Sequence, residues 1–105
     1  MGTDFFAGLD LGGTEIKVGI CTADGQESWS ARFPSNAVKG QEAILASLAE
    51  AGGKAIEAAR ERGGEVQALG LGTPGVVDPD SGMIRFPVAN LGGWHGTDIV
   101  GFFRQ

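Results

Sequence analysis

Gly8-Leu9-Asp10-Leu11-Gly12-Gly13-Thr14-Glu15-Ile16-Lys17-Val18-Gly19-Ile20 is the stretch on which the reading of this chain turns. It predicts two strands joined by a tight Gly-Gly-Thr turn, with the carboxylate of Asp10 entering the turn and the ammonium of Lys17 leaving it. A turn without side chains lets backbone N–H groups come close to a polyanion. A carboxylate beside such a turn suits the Mg²⁺ that accompanies nucleotide phosphates. Together these features point to ATP phosphate handling. Two better-known phosphate loops are excluded. The Gly-x-x-x-x-Gly-Lys-Ser/Thr pattern is absent, and a dinucleotide fingerprint joins a strand to a helix rather than to a second strand. For the glycine pair alone, an ordinary hairpin turn with a surface Asp is the better explanation. The whole segment is far more specific.

Outward from the hairpin, residues 5–11 read as a first strand, buried on both faces near its start. Residues 16–22 read as a second, with Ile16, Val18 and Ile20 on one face and Lys17 and Cys21 on the other. Ala23-Asp24-Gly25-Gln26 is a turn of the Asp-Gly type. Residues 27–33 alternate around Trp29, Ala31 and Phe33, predicting a third strand that Pro34 ends. The opening is thus an antiparallel meander. Residues 36–62 predict one helix, with Ile44, Leu48, Ala55 and Ala59 at helical spacing and Leu45, Ala49 and Ile56 widening the stripe. Ser35 or Asn36 would cap it and Gly63-Gly64 would end it. Gly52-Gly53 weakens it by about 1 kcal/mol per Gly against Ala, with a bend there as an option. Residues 66–71 form an apolar strand broken by Thr73-Pro74-Gly75. A short strand follows at residues 83–88, then a loop at 90–96 and the start of a helix near Ile99.

The chain has 105 residues, enough for one domain with a core. Its net charge of −5 and its scattered Lys and Arg residues argue against a nucleic-acid partner. The 19 glycines do not recur in a repeat. The single cysteine, Cys21, cannot pair internally and suits a reducing cytosol, so a cytoplasmic location is expected. The N-terminal residues lack the basic and apolar regions of a signal peptide. No apolar run approaches the roughly 20 residues that span a membrane, so no membrane partner is expected.

The hairpin segment resembles the first phosphate motif of the superfamily that joins sugar kinases, heat-shock ATPases and actin. Within it, the chain is most similar to the ROK family of sugar kinases and repressors. Leu69-Gly70-Leu71-Gly72-Thr73-Pro74-Gly75-Val76-Val77-Asp78 and Ala89-Asn90-Leu91-Gly92-Gly93-Trp94 resemble further landmarks of that family, in the same order. The resemblance implies an α/β fold of the ribonuclease-H-like, actin-type ATPase class. A mixed sheet would open with the three-stranded meander, continue through the strand after the helix and carry the long helix on one face. Residues 1–105 would be the N-terminal lobe of a ROK-type sugar kinase, with the C-terminal lobe absent. The full protein would move the γ-phosphoryl of Mg-ATP to a hexose hydroxyl, glucose being the first expectation and N-acetylated or other hexoses staying open.

The resemblance also implies roles. Asp10 would orient Mg²⁺ through water, and Gly12, Gly13 and Thr14 would offer donors to the phosphates. Lys17 would join them, with a solvated strand residue as the equal alternative. Thr73, Pro74 and Gly75 would line the sugar pocket. Asn90 would reach the sugar or simply form a turn. The family's catalytic aspartate, in an Asn-Asp-Ala motif, is expected beyond Gln105, so no catalytic residue is assigned and the 105-residue chain is expected to be inactive alone. The zinc cluster of many ROK proteins has no counterpart here. His95 is expected to be a surface loop residue, Trp94 a packing residue, and Asp78 and Asp80 turn formers. Phe102 and Phe103 would be uncovered without the remaining chain, so homo-oligomerisation or segment exchange is expected. The alternatives are the lobe of a sugar-sensing ROK repressor, disfavoured because a first strand near residue 5 leaves no room for a winged helix, and a stand-alone sugar- or partner-binding module.

Overall fold

Alternate residues of the first strand separate the two faces of a sheet. In the computed structural model, which describes residues 2–73, 76–77, 81 and 83–85, strand β1 spans Thr3–Leu11. It buries Phe5, Ala7, Leu9 and Leu11 and turns Phe6, Gly8 and Asp10 to the other side. Strand β2 (Glu15–Thr22) returns antiparallel, from Leu11 opposite Ile16 to Phe5 opposite Thr22. Ile16, Val18 and Ile20 therefore join the buried face, while Lys17 lies on the open one. Strand β3 (Glu27–Pro34) pairs antiparallel with β2 and brings Trp29, Ala31 and Phe33 against the core. The predicted meander is thus present.

Helix α1 (Gln41–Glu61) covers the buried face. Ile44 and Leu48 are fully buried against the sheet, and burying each side chain of that size contributes about 1.5–3 kcal/mol. Ala51, Gly52, Ala55, Ala58 and Ala59 complete the contact. Their small size lets the helix lie close, and a Cβ on Gly52 would already sit 3.9 Å from Leu69 Cδ1. The chain then enters strand β4 (Gly64–Gly72), which pairs parallel with β1. The order is β3-β2-β1-β4. A separate short ladder joins β5 (Val76–Val77) to β6 (Ile84–Arg85). This mixed sheet with one packing helix is the α/β architecture expected.

Four local expectations need correction. Strand β1 is not buried on both faces near its start: Phe5 is buried, but Phe6 is 36% exposed on the face that α1 does not cover. The helix does not begin at Asn36. Asn36 (φ 58°) and Gly40 (φ 98°) lie outside helical space, and between them Ala37–Lys39 make a single 3₁₀ turn. Gly40 rather than Ser35 or Asn36 precedes α1, without a side-chain cap. Ala49 and Ile56 are exposed, so Ala51 and Ala58 widen the buried stripe in their place. The C-terminal end matches expectation. Gly63 adopts φ 77°, its N–H donates to the Arg60 carbonyl, and the Arg62 guanidinium donates to the Ala58 carbonyl. The helix runs unbroken through Gly52-Gly53.

Candidate phosphate- and sugar-binding site

Parallel pairing of β1 with β4 brings their C-terminal ends to one edge of the sheet. Asp10 pairs with Gly72 across these strands, so the turn after β1 and the segment beginning at Thr73 emerge side by side. Ligands of open α/β sheets bind at such carboxyl ends. The turn itself is short. Gly12 N–H donates to the Glu15 carbonyl at 2.9 Å, closing the hairpin directly above Leu11 and Ile16. A Cβ on Gly12 would stand 3.0 Å from that carbonyl oxygen, tighter than side chains normally tolerate. Close approach is therefore what glycine serves here; the left-handed glycines of the described residues are Gly25, Gly40 and Gly63.

Asp10 and Lys17 are opposite each other in the β1–β2 register, both exposed on the open face. Among the described residues the ion pairs are Arg32–Glu15 at 3.2 Å and Lys54–Glu57 at 3.7 Å, so Asp10 and Lys17 do not pair with each other. The Asp10 carboxylate reaches toward β4, where a Cβ on Gly72 would lie 3.5 Å from Oδ1. Arg32 faces Lys17 across β2–β3. One row over, Ser30, Gly19, Gly8 and Gly70 follow one another across four strands. The outcome is a broad open trough of about 1000 Å³, charged beside Asp10, Lys17 and Arg32 and without side chains at Gly19, Gly8 and Gly70.

The structure thus gathers Asp10, Gly12, Gly13, Thr14 and Thr73 at one sheet edge, with Lys17 just inside it on β2. Gly13 and Thr14 are exposed, Gly12 and Thr73 half-buried. Pro74, Gly75 and Asn90 lie outside the described residues, as do Asp78, Asp80, Trp94, His95, Phe102 and Phe103. No group of three or more His, Cys, Asp or Glu side chains gathers as a metal cage among the described residues. Mg²⁺ in nucleotide complexes keeps several waters and takes one or two carboxylates plus phosphate oxygens rather than a cage of protein ligands.

One contributor escaped the sequence reading. Ser35 is fully buried; its N–H donates to the Thr14 carbonyl at 3.0 Å and its Oγ to the Gly13 carbonyl at 3.2 Å. The sequence signal was a polar pair directly after the strand-ending Pro34, open to interpretation as a helix cap.

Residues 6–105 match the ROK family model. A glucokinase of Halalkalibacterium halodurans is 31% identical over 94 residues, covering 88% of this chain and 28% of the glucokinase. The ROK hexokinase of Thermus thermophilus superposes with a TM-score of 0.77 at 34% identity, over 95% of this chain and 31% of the hexokinase. A ROK family glucokinase of Streptomyces griseus, solved in complex with glucose and AMPPNP, shares the fold with a TM-score of 0.73 at 24% identity, over 93% of this chain and 28% of that protein. The chain therefore spans less than a third of the length of these relatives. Its mixed sheet and packing helix are those of the actin-like ATPase fold as ROK sugar kinases build it, and the chain belongs to the ROK family.

Proposed function

We propose that this chain is the phosphate-holding lobe of an ATP-dependent hexose kinase, with glucose as the preferred sugar. The observation that carries the proposal is the Gly12-Gly13-Thr14 turn, set at the C-terminal ends of parallel β1 and β4 with the Asp10 carboxylate beside it. In this reading the turn's backbone and the Thr14 hydroxyl donate to ATP phosphates, and Asp10 orients Mg²⁺ through water. Bound Mg²⁺ would neutralise phosphate charge. Lys17, opposite Asp10, adds a positive charge within reach of the same phosphates. Thr73 opens the segment that lines the sugar, with Pro74, Gly75 and Asn90 as its further contacts. The glucokinase and hexokinase relatives support both the reaction class and the choice of sugar.

Phosphoryl transfer works by enclosing both substrates and positioning them in line. In this reading a chain that covers 28% of its glucokinase relative supplies part of that enclosure and binds without turning over by itself. Titration of the 105-residue chain with Mg-AMPPNP, then glucose, tests the reading through backbone amide resonances. Saturable shifts at Gly12, Gly13 and Thr14 with AMPPNP, and at Thr73 with glucose, are expected. Unmoved turn resonances at millimolar Mg-AMPPNP would overturn the phosphate assignment, and steady glucose phosphorylation by the chain alone would overturn its incompleteness.

A further inference from the structure

The turn between β1 and β2 does not hold its shape unaided. Ser35 ties down two consecutive carbonyls, of Gly13 through its hydroxyl and of Thr14 through its N–H. The peptides here are trans, and a trans peptide points its N–H opposite to its C=O. Anchoring the Gly13 carbonyl on Ser35 therefore turns the Thr14 N–H away from Ser35, toward the exposed side of the turn. Ser35 is in turn followed by Asn36, held at φ 58°, a left-handed conformation that Asn tolerates better than most residues. Its Nδ2 donates at 2.9 Å to Oγ of Ser47, a residue buried within α1. The result is a link from the helix to the turn: Ser47 is hydrogen-bonded to Asn36, the backbone joins Asn36 to Ser35, and Ser35 is hydrogen-bonded to the Gly13 and Thr14 carbonyls. Ser35, Asn36 and Ser47 do not line the trough.

We propose that Ser35 is a positioning residue for the phosphate site: with Asn36 and Ser47 it braces the turn against α1 and aims the Thr14 N–H at the phosphates. The assignment rests on the phosphate-holding reading of the turn. Its physical content is preorganisation. A glycine-rich turn left free would lose conformational freedom on binding, and the brace removes that loss beforehand.

The test compares the wild-type chain with Ser35→Ala, Ser35→Thr and Ser47→Ala by backbone relaxation and by Mg-AMPPNP titration. With the brace intact, the Gly13 and Thr14 amides have order parameters near about 0.85; in S35A they fall below about 0.6 while β4 stays rigid. S35T, which restores the hydroxyl, returns them toward wild type. The Mg-AMPPNP dissociation constant rises at least about tenfold in S35A and recovers in S35T. Unchanged order parameters at Gly13 and Thr14 in S35A overturn the brace, as does a loss of order spread evenly through the sheet. Should S35A fail to fold, S47A cuts the other end: reduced order at the turn supports the brace, and an unaltered turn overturns it. A wild-type turn that ignores Mg-AMPPNP refutes the phosphate reading alone, because the brace is still judged by the order parameters.

Discussion

The Asp10 carboxylate leans over Gly72, its register partner on the parallel neighbour strand, with Oδ1 3.5 Å from where a Gly72 Cβ would be. That separation is ordinary van der Waals contact, so a single methyl group fits and a larger side chain does not. Gly72→Ala should keep the chain's stability within about 0.5 kcal/mol. Gly72→Val places a second branch against the carboxylate and should displace it. Chemical denaturation and Mg-AMPPNP titration separate the two effects. G72V is expected to lose several-fold more nucleotide affinity than G72A at similar stability, and equal affinities would show that Asp10 needs no clear space over β4.

Asp10→Asn keeps the shape of the side chain and removes its charge. Asp10 is exposed and has no ion-pair partner among the described residues, so unfolding should move by no more than about 0.5 kcal/mol. Mg²⁺-dependent nucleotide affinity should fall about tenfold, the order of effect of a single charged contact worth about 1.4 kcal/mol. Titrations with and without Mg²⁺ decide the matter: a D10N loss that is equal in both would mean that Asp10 does not act through the metal.

The hairpin and its neighbours could be read from sequence because period-2 alternation and glycine punctuation act locally. Ile16, Val18 and Ile20 declare one face of β2 without any tertiary information, and Gly63 declares a helix end. Phe6 misled because its apolar character says nothing about which face receives a helix; α1 covers the Phe5 face only. Asn36 and Gly40 misled because helical spacing continues through them, whereas their backbones adopt φ 58° and 98° and the Asn36 side chain is drawn to Ser47, 11 positions away. The site was half legible. Asp10, Gly12, Gly13 and Thr14 announce themselves in one contiguous motif. Ser35 lies twenty-two positions from Gly13, and its role exists only once β2 and β3 are paired.

Two glycines of the fold should respond in opposite directions to the same substitution. Gly53 is exposed in the middle of α1, and an added Cβ meets nothing within 4 Å. Gly53→Ala should stabilise by about 0.5–1 kcal/mol through the helix propensity difference. Gly64 begins β4 packed under β1, where a Cβ would collide with the Thr3 carbonyl oxygen and approach Phe5 Cε2 to 2.6 Å. Gly64→Ala should destabilise by about 1–3 kcal/mol, as overpacking does. Urea midpoints at constant m-value measure both, and a G64A midpoint at or above wild type would mean that the β1–β4 contact is looser than this geometry.

The turn between β2 and β3 carries a pH-sensitive contact. The Thr22 hydroxyl donates to the Asp24 carboxylate, and together with the Gln26 N–H it holds the Asp24 carboxyl below its ordinary value of 3.8. A group whose folded pKa is depressed adds stability above its unfolded pKa and loses it as pH falls through the folded one. Thr22→Val keeps the β-branched shape and deletes the donor. It should therefore be less stable than wild type at pH 6, with a gap that narrows steadily below about pH 4 as Asp24 protonates. In the Asp24→Asn background, Thr22→Val should have an effect that no longer changes with pH. Urea denaturation of the four proteins at pH 6 and pH 3 provides the comparison. A Thr22→Val gap of the same size at both pH values would remove Asp24 from the account.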